Sequence, residues 1–165
     1  DAYSRGDTDF LRDVLLRKVG ELKMYGWRYD GYVGCISSLP GYFNHNINVL
    51  KSEVRRDLFN PEHPIYTKVK DEVPARYKGD SRARNCLVAD GCVIDGEVEN
   101  CVLFRGVKIG KGAKVRNCVI MQDTVIGANS RLDYVVADKN VEIEENRTLM
   151  GYQTYPVYIA KESKV

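Results

Sequence analysis

Four isoleucines, Ile94, Ile109, Ile126 and Ile143, follow one another at intervals of 15, 17 and 17 residues. Each opens a phrase of the same texture: "IDGEVENCVLFR", "IGKGAKVRNCVIMQ", "IGANSRLDYVVADK" and "IEENRTLMGY". Within the phrases Val115 stands six residues after Ile109, and Leu132 six after Ile126, the step of a hexapeptide repeat. A fixed period built from short Val- and Ile-rich pieces, punctuated by Gly, Asn and Asp, predicts a chain wound into stacked coils. The expected fold from about residue 73 to 165 is therefore a left-handed parallel β-helix, making the chain mainly β. No single coil can bury its own apolar face, and about three are needed for a continuous core; this stretch supplies four to five.

The register assigns roles. Cys86, Cys101, Cys118 and Val135 fall in one column, and Asn85, Asn100, Asn117 and Tyr134 in the column before it. A column that accepts valine is apolar, and a buried cysteine acts as a small hydrophobe, so these thiols are read as core rungs. Asparagine tolerates left-handed backbone, which suits the second column to corners. The outermost coil is an unpaired sheet edge that something must cover, which points to oligomerisation.

Residues 1–72 have mixed periodicity and are read as a small α/β region. "DFLRDVLLRKVG" places Phe10, Leu11, Val14, Leu15 and Val19 on one helical face. "LKMYGWRYD" and "YVGCI" alternate like strands, and "GYFNHNINVLKSEVRRDLF" reads as helix up to the turn signal "NPEHP". A formal net charge of +2, with basic and acidic residues interspersed, argues against a nucleic-acid or membrane-surface partner. No apolar run approaches the roughly 20 residues that span a bilayer, and "DAYSRGDTDF" lacks the pattern of a signal peptide. A cytoplasmic protein is expected. The five cysteines show no CxxC pair and no histidines at metal-ligand spacing, so they are expected as reduced thiols, with no metal held in this chain.

Fold alone names no function, because left-handed β-helices serve two large enzyme groups. The acyltransferases carry histidines on their coils, whereas His45 and His63 both precede the coils here. The other group is more specific. "FLRDVLLRKVGELKMYGWRYDGYVGCISSLPGYFNHNINVL" resembles the end of the catalytic domain of glucose-1-phosphate adenylyltransferase, or ADP-glucose pyrophosphorylase. "PIYTKVKDEVPARY" is similar to that family's linker, and "NCVIMQDTVIGANSRLDYVVADKNVEI" to its coils. The resemblance covers nearly the whole chain and implies a C-terminal piece, with residues 1–72 a remnant of the nucleotidyltransferase domain plus linker, and 73–165 the β-helix.

The departures matter most. Active members of the family read like Gly-Tyr-Trp-x-Asp-Val-Gly-Thr at the strand matching "GYVGCISSLPGYF", and that Asp is a ligand of the catalytic magnesium. Cys35 stands there in this sequence, with Ser37 replacing the Gly. Mg²⁺ wants carboxylate and water oxygens, and a neutral thiol is a poor substitute. Cys35 is open to two compatible readings, a core thiol and the mark of a lost ligand. The family's Gly-rich nucleotide loop, first metal Asp and sugar-phosphate Lys have no counterpart here, and "GVKIGKGAK" fails the P-loop spacing. The chain alone is thus expected to hold no cofactor and to catalyse nothing; magnesium belongs, by resemblance, to the assembled enzyme that converts ATP and glucose 1-phosphate to ADP-glucose and pyrophosphate.

The resemblance is to the GlgD-type subunits, regarded as regulatory in glycogen synthesis. It implies a catalytic adenylyltransferase subunit as partner, in a homo- or hetero-oligomer of tetrameric form, and an effector that is phosphate or a phosphorylated metabolite. Plant-type members bind such effectors through the Asp-Lys of an "IDKNA" motif and a C-terminal lysine, which by resemblance transfers to Asp138 and Lys139 and, at an approximate match, to Lys161; the alternative is that both lysines are merely solvated. Arg76, Lys78, Arg82 and Arg84 stand at the entrance to the coils, as extensions of such a site or as ordinary surface. Trp27, Tyr32 and "GYFNHNINVL" are read as core and interface. Two further readings stay open, an active subunit when full length and a β-helix that only scaffolds assembly.

Overall fold

A computed structural model describes residues 3–67 and 69–165, so Lys68 of the linker phrase lies outside the described residues, as do Asp1 and Ala2 at the start. The chain forms two compact units, residues 1–31 and 32–165. In the first, the expected helix forms as a wide turn, Phe10–Leu15, continued by α1, Leu16–Lys18. Asp9 caps it, its carboxylate accepting from the Arg12 N–H at 2.7 Å. Asp13 anchors it: its carboxylate accepts from the Thr8 and Asp9 N–H groups at 3.2 and 3.1 Å and from Arg12 Nε at 3.0 Å. The apolar face stays outward, with Phe10, Leu11 and Val19 exposed.

The strands expected from "LKMYGWRYD" and "YVGCI" do not form; among the described residues the first strand is Arg76–Tyr77. Alternation makes a strand only where a neighbour takes its N–H and C=O groups, and no described segment pairs with residues 22–36. The expected long helix is two, α2 (Leu39–Asn48) and α3 (Ser52–Leu58). Ser38 caps α2, its Oγ accepting from the Gly41 N–H at 3.1 Å, with Pro40 in the first turn. Between the helices Arg55 Nη1 donates to the Val49 and Leu50 carbonyls, which holds the break open.

From Arg76 onward the chain is a parallel β-solenoid of three five-stranded sheets. Its first face pairs Tyr77, Ile94, Ile109, Ile126 and Ile143 in register. The second pairs Val98, Val115, Leu132 and Leu149. The third pairs Leu103, Ile120, Ala137 and Ile159. The isoleucine spacing is thus the coil repeat, and Ile94, Ile126 and Ile143 are essentially inaccessible. The cysteine column is core: Cys101, Cys118 and Val135 are completely buried, and only Cys86, in the first coil, is partly open. Burial pushes the Cys101 thiol well up, and contact with Cys101 pushes Cys86 up as well.

The asparagine column lies at a corner, as its residue type predicts. Asn85, Asn100, Asn117 and Tyr134 have φ of 50°, 52°, 50° and 53°, in the left-handed region that asparagine tolerates. Their amides form a ladder: Asn85 Nδ2 donates to Asn100 Oδ1 (2.8 Å), Asn100 to Asn117 (3.3 Å), and Asn117 to Asp133 Oδ1 (2.8 Å). The outer side of the third face is covered by α2, where Phe43 buries against Val119 and Val136 and its ring lies 6.0 Å from that of Tyr134.

Candidate functional site

Two places carry the residues singled out by sequence. The first is the approach to α2. Cys35 is exposed and on no strand, so it is not a core thiol. Three residues earlier in the chain Tyr32 is fixed at both ends: its backbone N–H donates to the Asp57 carboxylate, and its hydroxyl lies 2.6 Å from His45 Nδ1. With Gly34, Ile36, Tyr42 and Leu58 these rings line an apolar cavity of about 320 Å³. Mg²⁺ requires several oxygen ligands, at least one of them carboxylate. The carboxylate in contact with this segment, Asp57, is engaged by Tyr32, and among the described residues no group of three or more His, Cys, Asp or Glu side chains is arranged to hold a metal. The described residues around Tyr32 and Asp57 do not fit a magnesium site.

The second place is the corner that follows the third face. Because Ala137 pairs with Ile159, the residues after them stack: Asp138 on Ala160, Lys139 on Lys161, Asn140 on Glu162. The Glu162 N–H donates to the Lys139 carbonyl at 3.0 Å, locking the two turns together. Asn140 and Glu162 both turn the chain with left-handed φ, 57° and 62°. Lys139 and Lys161 are therefore neighbours on adjacent rungs, roughly 4.8 Å apart along the backbone.

The three candidates play different parts in this geometry. Both carboxylate oxygens of Asp138 are in use, Oδ1 accepting from the Lys139 N–H at 2.7 Å and Oδ2 from the Tyr158 hydroxyl at 3.0 Å. The hydrogen bond to that carboxylate pushes the Tyr158 phenol up. Asp138 shapes the turn that presents Lys139. Lys139 is exposed, and Lys161 is exposed beside Glu162, with Nζ 3.1 Å from Oε1.

Two residues of this corner escaped the sequence reading. The pairing of Leu103 with Ile120, and of Ile120 with Ala137, carries the column back from Lys139 to Gln122 and Arg105. Gln122 Oε1 is buried with no hydrogen-bond partner among the described residues. Two steps of the coil repeat back from Lys139 find both residues, so the signal was present in the spacing. The entrance cations are a different feature: Arg82 and Arg84 are exposed on the second face, where Arg84 pairs with Glu99 at 2.7 Å and Glu99 lies 3.7 Å from Arg116. Of the aromatic residues read as core or interface, Phe43 is buried and Trp27 is 83% exposed.

Known proteins share both the coil and the segment before it. Residues 72–154 match the family model described as GlmU-like, C-terminal hexapeptide. The glycogen biosynthesis protein GlgD of Bacillus subtilis (strain 168) is 41% identical over 151 residues, covering 92% of this chain and 44% of that protein. GlgD of Geobacillus stearothermophilus is 54% identical over 70 residues, 42% of this chain and 20% of its own length. The glucose-1-phosphate adenylyltransferase of Thermotoga neapolitana is 34% identical over 110 residues, 66% of this chain and 26% of that enzyme. The chain thus spans less than half the length of these relatives. Matched along the coil by the family model and along nearly all its length by a GlgD protein, this chain belongs to the GlmU-like C-terminal hexapeptide family and is a GlgD-type relative of the glucose-1-phosphate adenylyltransferases.

Proposed function

We propose that the chain is the C-terminal part of a catalytically degenerate subunit of glucose-1-phosphate adenylyltransferase, acting in the cytoplasm on the response and assembly of a catalytic partner. The observation that carries this reading is Cys35. It occupies, by resemblance, the position of a metal-binding aspartate in that family and stands exposed, with no metal-holding set of carboxylates among the described residues. The reaction needs charge neutralisation at the phosphates by metal and basic groups, which in this reading the partner supplies with its own magnesium. The contribution of this subunit is the solenoid, with its self-complementary coils, and the corner of Lys139 and Lys161, which receives phosphate or a phosphorylated metabolite through charge-assisted hydrogen bonds.

The test is ADP-glucose synthesis by the full-length parent, alone and mixed with a catalytic subunit, with and without phosphorylated metabolites. The expected result is no turnover alone and a changed rate or effector response in the mixture. Robust magnesium-dependent turnover by the parent alone would overturn the degenerate reading. An effector response in the mixture that survives Lys139→Ala together with Lys161→Ala would overturn the effector corner and leave assembly as the role.

A further inference from the structure

The fifth coil breaks the rule that shapes the earlier ones. Tyr134 alone joins the second face to the third in the fourth coil, whereas Gly151–Pro156 make the same crossing one rung later. An insertion into one coil of a solenoid becomes a surface loop, and such loops often lie on the binding face. This one is fixed at its root. The Gly151 N–H donates to the Asp133 carbonyl at 2.8 Å and the Val157 N–H to the Tyr134 carbonyl at 2.9 Å. A Cβ on residue 151 would stand 2.5 Å from that Tyr134 oxygen, so glycine is required there.

The tip is fixed too. Tyr152 and Tyr155 exchange backbone hydrogen bonds of 3.1 and 2.9 Å in an antiparallel bridge. Residues facing each other across such a bridge send their side chains to the same side. Tyr152 and Tyr155, 75% and 79% exposed, therefore project from the same side of a closed turn, with Gln153 and Thr154 between them. Residues 148–160 contain no Asp, Glu, Lys, Arg or His, in a chain that is 29% charged.

These features select a ligand class. A charged ligand finds no counter-charge in the loop. A protein partner covers about 800 Å² on each side, but this loop is a small prominence, and the second face beside it carries Arg116, Arg131 and Asp133. A sugar ring is neutral, offers C–H faces to aromatic rings, and offers hydroxyls to the amide of Gln153 and the hydroxyl of Thr154. We propose that loop 151–156 is a surface site for an α-glucan chain, with Tyr152 and Tyr155 as its stacking platforms. The choice of α-glucan among neutral polyols rests on the glycogen-synthesis role proposed above, while the site itself rests on the loop.

The experiment is affinity electrophoresis of the full chain in gels containing glycogen or a β-linked glucan, with the Tyr152→Ala, Tyr155→Ala double variant alongside. Circular dichroism checks that the variant keeps its fold. Glycogen should retard the chain, and the double variant should bind at least about tenfold more weakly. Retardation by the β-linked glucan alone would overturn the α-glucan assignment while leaving a polyol site. No retardation in either gel, or equal retardation of the double variant, would overturn the site. A concentration-dependent dimer that the double variant loses, without glucan binding, would assign the loop to a second copy of the chain and overturn it as well. None of these outcomes depends on whether ADP-glucose synthesis responds to the chain.

Discussion

Replacing Asn117 separates two contributions that meet at one corner. Its amide donates to Asp133 Oδ1 at 2.8 Å and its carbonyl accepts from Asn100 at 3.3 Å, while its backbone holds φ at 50°. Asn117→Ala and Asn117→Gly remove the same two side-chain bonds, which together are worth about 1–2 kcal/mol at this half-buried position. Only the alanine also pays for a Cβ in left-handed backbone, about 1 kcal/mol more than glycine after the glycine's greater unfolded freedom is allowed for. The alanine variant is expected to lose about 2–3 kcal/mol and the glycine variant about 1–2 kcal/mol. Urea denaturation followed by circular dichroism measures both, and a 1 kcal/mol gap corresponds to about 2–4 °C in melting temperature for a chain of this size. Equal stability of the two variants, or a less stable glycine variant, would refute the claim that backbone conformation sets the corner.

Ile126→Ala, in a fully buried rung with neighbours above and below, should cost about 2–5 kcal/mol in the same assay. Alkylation of the native chain followed by mass spectrometry should label exposed Cys35 first, leave Cys101 and Cys118 unlabelled until denaturant is added, and label Cys86 slowly because its thiol is pushed up. Hydrogen bonding from Arg12, with the Asp9 and Thr8 N–H groups, lowers the Asp13 carboxyl to about 2. A depressed carboxyl stabilises the folded form above its ordinary pKa. The residue 1–31 unit should therefore loosen as pH falls from about 4 towards 2, with an NMR titration midpoint for Asp13 of about 2, and Asp13→Asn should abolish that step.

The coil was legible because its information is local and repeated. A residue's neighbour lies one coil away, at a fixed distance in sequence, so Ile94, Ile109, Ile126 and Ile143 disclose their own register. The corner role of Asn85, Asn100 and Asn117 followed from residue type, and their φ values agree. Residues 22–36 were misread because alternation describes a strand without supplying its partner, and no described segment pairs there. The single helix expected over residues 41–59 became two because Arg55 caps carbonyls across the break, a contact that periodicity does not encode. At the candidate site, resemblance brought Lys139 and Lys161 together without their geometry. Gln122 and Arg105 belong to no motif; only the coil repeat, which stacks them under Lys139, links them to the site.

The amide ladder of the asparagine corner has a direction: each donor points to the following coil, until Asp133 receives the last hydrogen bond. Every coil between the two ends therefore hands on the same group that it is given, together with the same isoleucine rung. Such a coil is an interchangeable spacer. A lineage could add or delete one, lengthening or shortening the solenoid by roughly 4.8 Å, without redesigning the helix docked on the third face or the tyrosine loop that projects from the last coil. Evolution of this chain then has a ruler with discrete marks, on which the separation between its attachments is set by counting coils.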